Sequence, residues 1–321
     1  MTLLRRCKAQ VTPVGPQQIG GLLDLCAQEP VASACLAHQI QRWSRWGRGD
    51  AVVIGRPARP RAAAWTAGAV MPFGLAARPQ LGLEGLKRGE ARALAEHARP
   101  RLAPYGSIMG PRQDVEILWR SLRDLGTTAR EERWSQPLLG APHVGEGLIA
   151  AQVRRRPSLA WVGRDLAMAT SAVGDMVLDA SVDMFTGELG YDPTDLGSSY
   201  ARHVGWLVDA GRSYIVLDDG QGGPVGPGSP RSVAFKADVG SMWHAPSGGV
   251  AMITGVWTRP DLRGRGLGAV AMAGVVDAVR RDHVGRRGEV SLYVNDFNTA
   301  ALGLYSTVGF TRTGTFSTVL L

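Results

Sequence analysis

At 321 residues, with 45 % hydrophobic and 20 % charged side chains, the chain has room for roughly two globular domains and is too apolar for long disorder. No run approaches the ~20 apolar residues of a membrane span, and Met1 to Lys8 lacks the apolar core of a secretion signal. Three cysteines (Cys7, Cys26, Cys35) without C-x-x-C spacing offer neither a disulfide framework nor a zinc site, and read as the reduced thiols of a cytoplasmic protein. The net charge of +8 sits at the front: 24 Lys and Arg face 13 Asp and Glu up to Gly174, against 12 and 15 beyond it. With lysine only at positions 8, 87 and 236, and no aromatic-interleaved basic strand, this reads as an arginine preference rather than a nucleic-acid surface.

Apolar spacing predicts helices over 17–27 and 32–43, then a hairpin across 51–71. A helix over 89–98, a short strand at 107–109, a helix over 112–125 and a strand around 133–139 follow. Residues 151–157, with Arg154, Arg155 and Arg156 in a row, have the composition of a linker. Beyond it the order repeats without obvious sequence identity. Residues 175–189 place Met176, Val177, Ala180, Met184 and Phe185 on one helical face, with Asp179, Asp183 and Glu188 off it. A second helix over 198–210, a strand over 212–217, a Gly- and Pro-rich loop over 220–230 and a strand over 232–240 come next. Residues 250–258 read as a buried strand that runs through Pro260 into a glycine turn and a helix over 266–282. A strand over 289–294, a helix over 299–307 and a strand or strand pair over 310–321 complete two mixed α/β domains of one plan.

The glycine turn, Arg263-Gly264-Arg265-Gly266-Leu267-Gly268-Ala269, carries the chemistry. A strand ends and a helix begins there, which aims several backbone N–H groups and the positive end of a helix dipole at one spot, a seat for phosphate. As a dinucleotide fingerprint, Gly264-x-Gly266-x-x-Ala269 fits formally. The context fails, because the strand over 289–294 does not end on the acidic residue that would hold a ribose. As a P-loop it lacks the G-K-[ST] ending. Arg263 to Gly268 does match [QR]-x-x-G-x-[GA] in full, and Asn298-x-x-Ala301-x-x-x-Tyr305 followed by Gly309-Phe310 forms a second motif.

With these two motifs in order, Val250 to Phe310 resembles the GNAT superfamily of N-acetyltransferases. The whole chain resembles a tandem GNAT arrangement, with a degenerate domain over 1–157 and a catalytic domain over 158–321. The fold class implied is α/β (α+β), two GNAT-like domains, each a mixed, mostly antiparallel sheet flanked by helices. The resemblance further implies acetyl-CoA as cosubstrate, no metal, and direct attack of an amine on the thioester. Backbone groups of Val256, Trp257 and Thr258 would hold the pantetheine arm. Amides of Arg263, Gly264, Arg265, Gly266, Leu267, Gly268 and Ala269, helped by the Arg263 side chain, would wrap the pyrophosphate. Asn298 would touch the cofactor's arm from the far side, and Tyr305 would protonate the departing thiolate. Outside such a motif a tyrosine is more often a core residue with a satisfied hydroxyl.

The acceptor side is less defined. Asp183 and Glu188 suit a cationic acceptor, or form a solvated helix face. The acceptor is a small molecule or a protein amine, with no nucleic acid and no membrane involved. No Asp or Glu lies within 250–258, so a general base is missing. The carboxylate at Leu321, at the end of a strand bordering the cleft, is one candidate; it is otherwise a solvated chain end. In the first domain, Leu83 to Glu90 has glycines without the pattern, and Trp119 and Leu122 stand where an acid tyrosine would be sought. This copy is expected to bind no CoA and to supply packing, part of the cleft or the surface of a homodimer. The competing readings are a CoA-binding sensor or interaction module without turnover, and a mycothiol-synthase-like acetyltransferase.

Overall fold

The computed structural model describes residues 11–42, 46–143, 145, 147–195 and 197–321, so Cys7 and the end of the helix expected over 32–43 lie outside it. The first half runs β1 (Val11–Pro13), α1 (Gly20–Cys26), α2 (Ala34–Arg42), β2 (Ala51–Arg56), β3 (Arg59–Trp65) and β4 (Met71–Phe73). It continues with α3 (Arg88–Ala98), β5 (Ser107–Pro111), α4 (Arg112–Asp124) and β6 (Glu131–Gly140). The second half opens with α5 (Leu148–Arg155), α6 (Ala160–Asp165), β7 (Ala167–Met168), α7 (Gly174–Leu189) and α8 (Ser199–Asp209). Then come β8 (Ser213–Asp218), β9 (Ser232–Ala245), β10 (Gly248–Thr258), α9 (Leu267–Val279), β11 (Glu289–Tyr293), α10 (Thr299–Val308) and β12 (Thr311–Leu320). Among the described residues no helix is long and apolar enough to cross a membrane.

The class is as expected, mostly antiparallel sheets flanked by helices, but the strands do not respect the halves. One sheet has the order β1-β2-β3-β4; the other has the order β5-β12-β6-β11-β10-β9-β8-β7, parallel only between β10 and β11. Strand β6 pairs through 138–140 with β11, and β12 pairs through 316–320 with β5. Between them β6 and β12 lie antiparallel along most of their length. Each half thus completes its sheet with the other half's strand. Burial drives the exchange: Val319 of β12 is fully buried among Val52, Ile54, Leu94 and Ile108 of the first half.

The stretch expected as a linker is helical. Leu148 and Gln152 of α5 are buried, and the Leu148 and Ile149 amides donate to the Asp277 carboxylate of α9 (3.0 and 2.9 Å). That carboxylate satisfies two orphan amides of the first turn, while Arg154 and Arg155 complement the negative end. Helix α9 is buried along almost its whole length, which accounts for its uniformly apolar sequence. The halves also meet where α2 crosses β9: His38 Nδ1 bonds Met242 O (2.8 Å) and Trp243 Nε1 donates to Pro30 O (2.9 Å).

Candidate active site

Strands β10 and β11 share three parallel rungs, Val250–Glu289 to Met252–Ser291, and then part. Beyond them β11 turns to β6, and β10 keeps only β9, from which it is displaced by a bulge between Thr254 and Trp257. The bulge needs Gly255 (φ +58°): a Cβ there would run into Asp238 Oδ2, with Lys236 Nζ at 3.1 Å. Lys236 and Asp238 form a buried ion pair (2.6 Å) under the bulge. Nζ also donates to Gly255 O (3.2 Å), and Ser213 Oγ donates to Asp238 Oδ1 (2.7 Å). Two charges spaced i, i+2 in an apolar strand were a visible signal of one buried face, and sequence reasoning passed over it.

The gap opens on the glycine turn. Gly264 (φ +75°) and Gly266 (φ +84°) take left-handed conformations, and a Cβ on Gly264 would meet nothing within 4 Å. No backbone carbonyl of the described residues accepts from the amides of Gly264 to Gly268, which stand at the start of α9. Gly268 is needed for packing, because a Cβ there would meet Leu304 Cδ1 at 2.7 Å and Thr258 Oγ1 at 3.0 Å. The structure therefore brings Val256, Trp257 and Thr258, the turn from Arg263 to Ala269, and α10 to one place. The Arg263 side chain turns back, with Nε donating to Thr258 O (2.9 Å).

Tyr305, next to Leu304, is buried, and its hydroxyl bonds no described residue. Burial first, then the nearby Glu188 charge, pushes its phenol well above the usual range, so it is protonated at neutral pH. Burial, then Cys35 and the same carboxylate, raises Tyr293, and burial, then Asp238 and Glu188, holds Tyr200 up at about 12. Glu188 is the one carboxylate whose charge acts on all three. Its Oε1 accepts from Arg133 Nη1 (2.8 Å) and Asn295 Nδ2 (3.1 Å), and Asn295 Oδ1 in turn accepts from Gln136 Nε2 (2.8 Å). Arg133 and Gln136 belong to β6, so the first half builds one wall of the site. Sequence reasoning missed both, because nothing local states which sheet a strand joins.

Other expected residues are placed differently. Asp183 lies apart from Glu188, accepting from Trp257 Nε1 (2.9 Å) beside a cavity of about 410 Å³ between α7 and the ends of β9 and β10. Asn298 caps α10, its Oδ1 accepting from the Ala301 amide (3.1 Å), which leaves only its amide nitrogen for a ligand. Leu321 follows β12, at the edge of the first half's core. Strand β12 carries it ten residues from Thr311, roughly 30 Å at ~3.3 Å per residue, and its N–H donates to Gly106 O (3.0 Å). Its carbonyl oxygen accepts from Arg130 Nε (2.6 Å), against the first half's core.

The equivalent seat in the first half is filled from within. The Gly74 and Ala76 amides after β4 donate to the fully buried Asp114 carboxylate (3.2 and 2.7 Å), which Arg78 also grips (2.7 Å). At the start of α3, Glu90 takes the Lys87 amide (2.9 Å). Carboxylates of the chain itself occupy the amides an anion would use.

Residues 178–310 match the family model described as acetyltransferase (GNAT) family, and residues 46–161 match a domain of unknown function (DUF4081). A tandem GNAT protein from the clavulanic acid biosynthesis pathway, solved without acetyl-CoA, superposes with a TM-score of 0.53 at 15 % identity, covering 97 % of this chain and 98 % of that one. A Drosophila protein gives a TM-score of 0.53 at 11 % identity, with the same 97 % and 98 % covered. No curated protein matches the sequence.

Proposed function

Because residues 178–310 belong to the GNAT acetyltransferase family, we propose that this chain moves an acetyl group from acetyl-CoA to an amine at the gap between β10 and β11. The observation that carries the reading is the run of amides from Gly264 to Gly268, which donate to no carbonyl of the described residues and face open space at Gly264. Such a seat fits a diphosphate. The unpaired edge of Val256 to Thr258 fits the extended pantetheine arm, and acetyl-CoA supplies an activated thioester carbonyl when bound.

The chain's own groups handle two protons. Glu188 has Oε1 engaged by Arg133 and Asn295, which leaves Oε2 to hold the acceptor's ammonium and take its proton. Tyr305 keeps its proton at neutral pH and carries it for the leaving sulfur. The bulge at Gly255 re-aims the β10 amides that stabilise the developing oxyanion. The acceptor is an amine of a small molecule or protein. The first half, its amides filled by Asp114 and Glu90, takes no CoA and serves as a wall of the cleft.

Calorimetry with acetyl-CoA tests the reading: one site per chain, lost in Gly264→Asp, whose carboxylate repels phosphate, and better kept in Gly264→Asn, which carries the same strain at φ +75° without the charge. Tyr305→Phe should lower turnover by ~10²–10⁴ with acetyl-CoA affinity kept, and Glu188→Gln should do likewise. Two sites per chain, or Gly264→Asp binding like the native protein, would overturn it.

A further inference from the structure

Arg156 follows α5 and lies outside the residues that match the acetyltransferase family. Its Nη1 donates to Gln152 Oε1 (3.0 Å), one helical turn back, and Gln152 Nε2 donates to Thr307 O (2.9 Å) on α10. Gln152 is 2 % exposed, so the guanidinium is anchored by a fixed, neutral partner that is itself tied to Thr307, two residues from Tyr305 on α10. The other end of the side chain lies across the turn. A Cβ on Gly266 would collide with Arg156 Nε, and with its Cδ at 2.7 Å. Position 266 thus requires glycine twice, for its positive φ and for the arginine laid over it.

A guanidinium held beside five amides that donate to no carbonyl of the described residues is a phosphate site in its own chemistry, since its planar fork matches phosphate oxygens two at a time. Of the turn's own arginines, Arg263 has Nε tied to Thr258 O, and Arg265 is exposed. Arg156 comes instead at the end of a packed helix, its guanidinium held by Gln152, with little freedom left to lose on binding.

We propose that Arg156 is a phosphate-binding residue of this site, a cation from the segment preceding the acetyltransferase domain that grips the acyl-CoA diphosphate together with the loop amides. The site thereby prefers diphosphate-bearing thioesters to thioesters of bare pantetheine. This rests on the acetyl-CoA reading above.

The test titrates native protein, Arg156→Gln and Arg156→Lys with acetyl-CoA, acetyl-3′-dephospho-CoA and acetyl-pantetheine, the weak ligand followed by ligand-observed NMR. Arg156→Gln should bind both diphosphate ligands about 10- to 100-fold more weakly, the loss of a charged hydrogen-bonding partner, and acetyl-pantetheine as the native protein does. Arg156→Lys keeps the charge without the fork and should fall between; if Arg156→Gln does not fold, this variant decides. Unchanged or tighter acetyl-CoA binding would overturn the inference, the tighter case meaning that the side chain covers the loop. An equal loss for acetyl-pantetheine, or a loss confined to the ligand with the 3′-phosphate, would overturn it as well. Native protein that binds none of the three would instead sink the acetyl-CoA reading itself.

Discussion

Replacing Lys236 by methionine removes an ammonium 2.6 Å from Asp238, in a pair whose side chains are only 1 % and 8 % exposed. The carboxylate stays where it is, with Ser213 as its remaining donor, and Gly255 O loses a partner. An uncompensated buried charge costs about 3–5 kcal/mol. At roughly 2–4 °C per kcal/mol for a chain of this size, the melting temperature should fall by about 6–20 °C. Asp238→Leu should fall comparably, because it strands the ammonium instead. The double variant Lys236→Met/Asp238→Leu removes both charges and should recover to near native stability or above, as apolar replacements of buried pairs do. Thermal unfolding of the four proteins closes the cycle, and the coupling should be several kcal/mol in sign and size. A single variant melting within about 2 °C of native, or a double variant no better than the worse single, would refute the reasoning.

Two further outcomes are expected. Residues 148–321 expressed alone leave the β11 edge without β6, and should be insoluble or melt without a cooperative transition until residues 1–147 are supplied in trans; a soluble, cooperatively melting fragment would count against the exchange. His38 is held down to about 4, chiefly by burial and also by Arg212, so the folded protein keeps it neutral while the unfolded chain titrates near 6.5. Its effect is absent above pH ~7 and costs up to ~3 kcal/mol as pH falls from about 6.5 through 4. Urea unfolding at pH 7.5 and 4.5 should show a smaller acid loss in His38→Gln, and equal losses would rule this origin out.

The local record in the sequence was good where structure is local. The turn from Arg263 to Gly268 needs glycines at fixed places, and the burial of α9 shows in its run of apolar residues. Pairing is another matter. Alternation in β6 and β12 says which side chains are buried, but not that Leu138 neighbours Tyr293 or that Val319 enters the first half's core. The same blindness explains Leu321, whose position depends on a crossing that no neighbouring residue encodes. Helix α5 was obscured by its arginines, because the Asp277 that caps it lies far along the chain. Glu188 stood out as an acid on the right helix, yet its partner Arg133 comes from the other half.

The exchanged strands also set an order of events during synthesis. Residues 107–140 of the first half emerge early, with β5 and β6 separated by a slot that only β12 fills. Strand β12 ends about 180 residues after β6, so at 5–20 residues per second the slot stays open for roughly 10–35 s. Through that interval the first half presents two bare strand edges, the kind of template on which neighbouring nascent chains pair. Chaperone dependence and sensitivity to translation speed should therefore concentrate in this protein's first half, although the chemistry proposed for it belongs to the second.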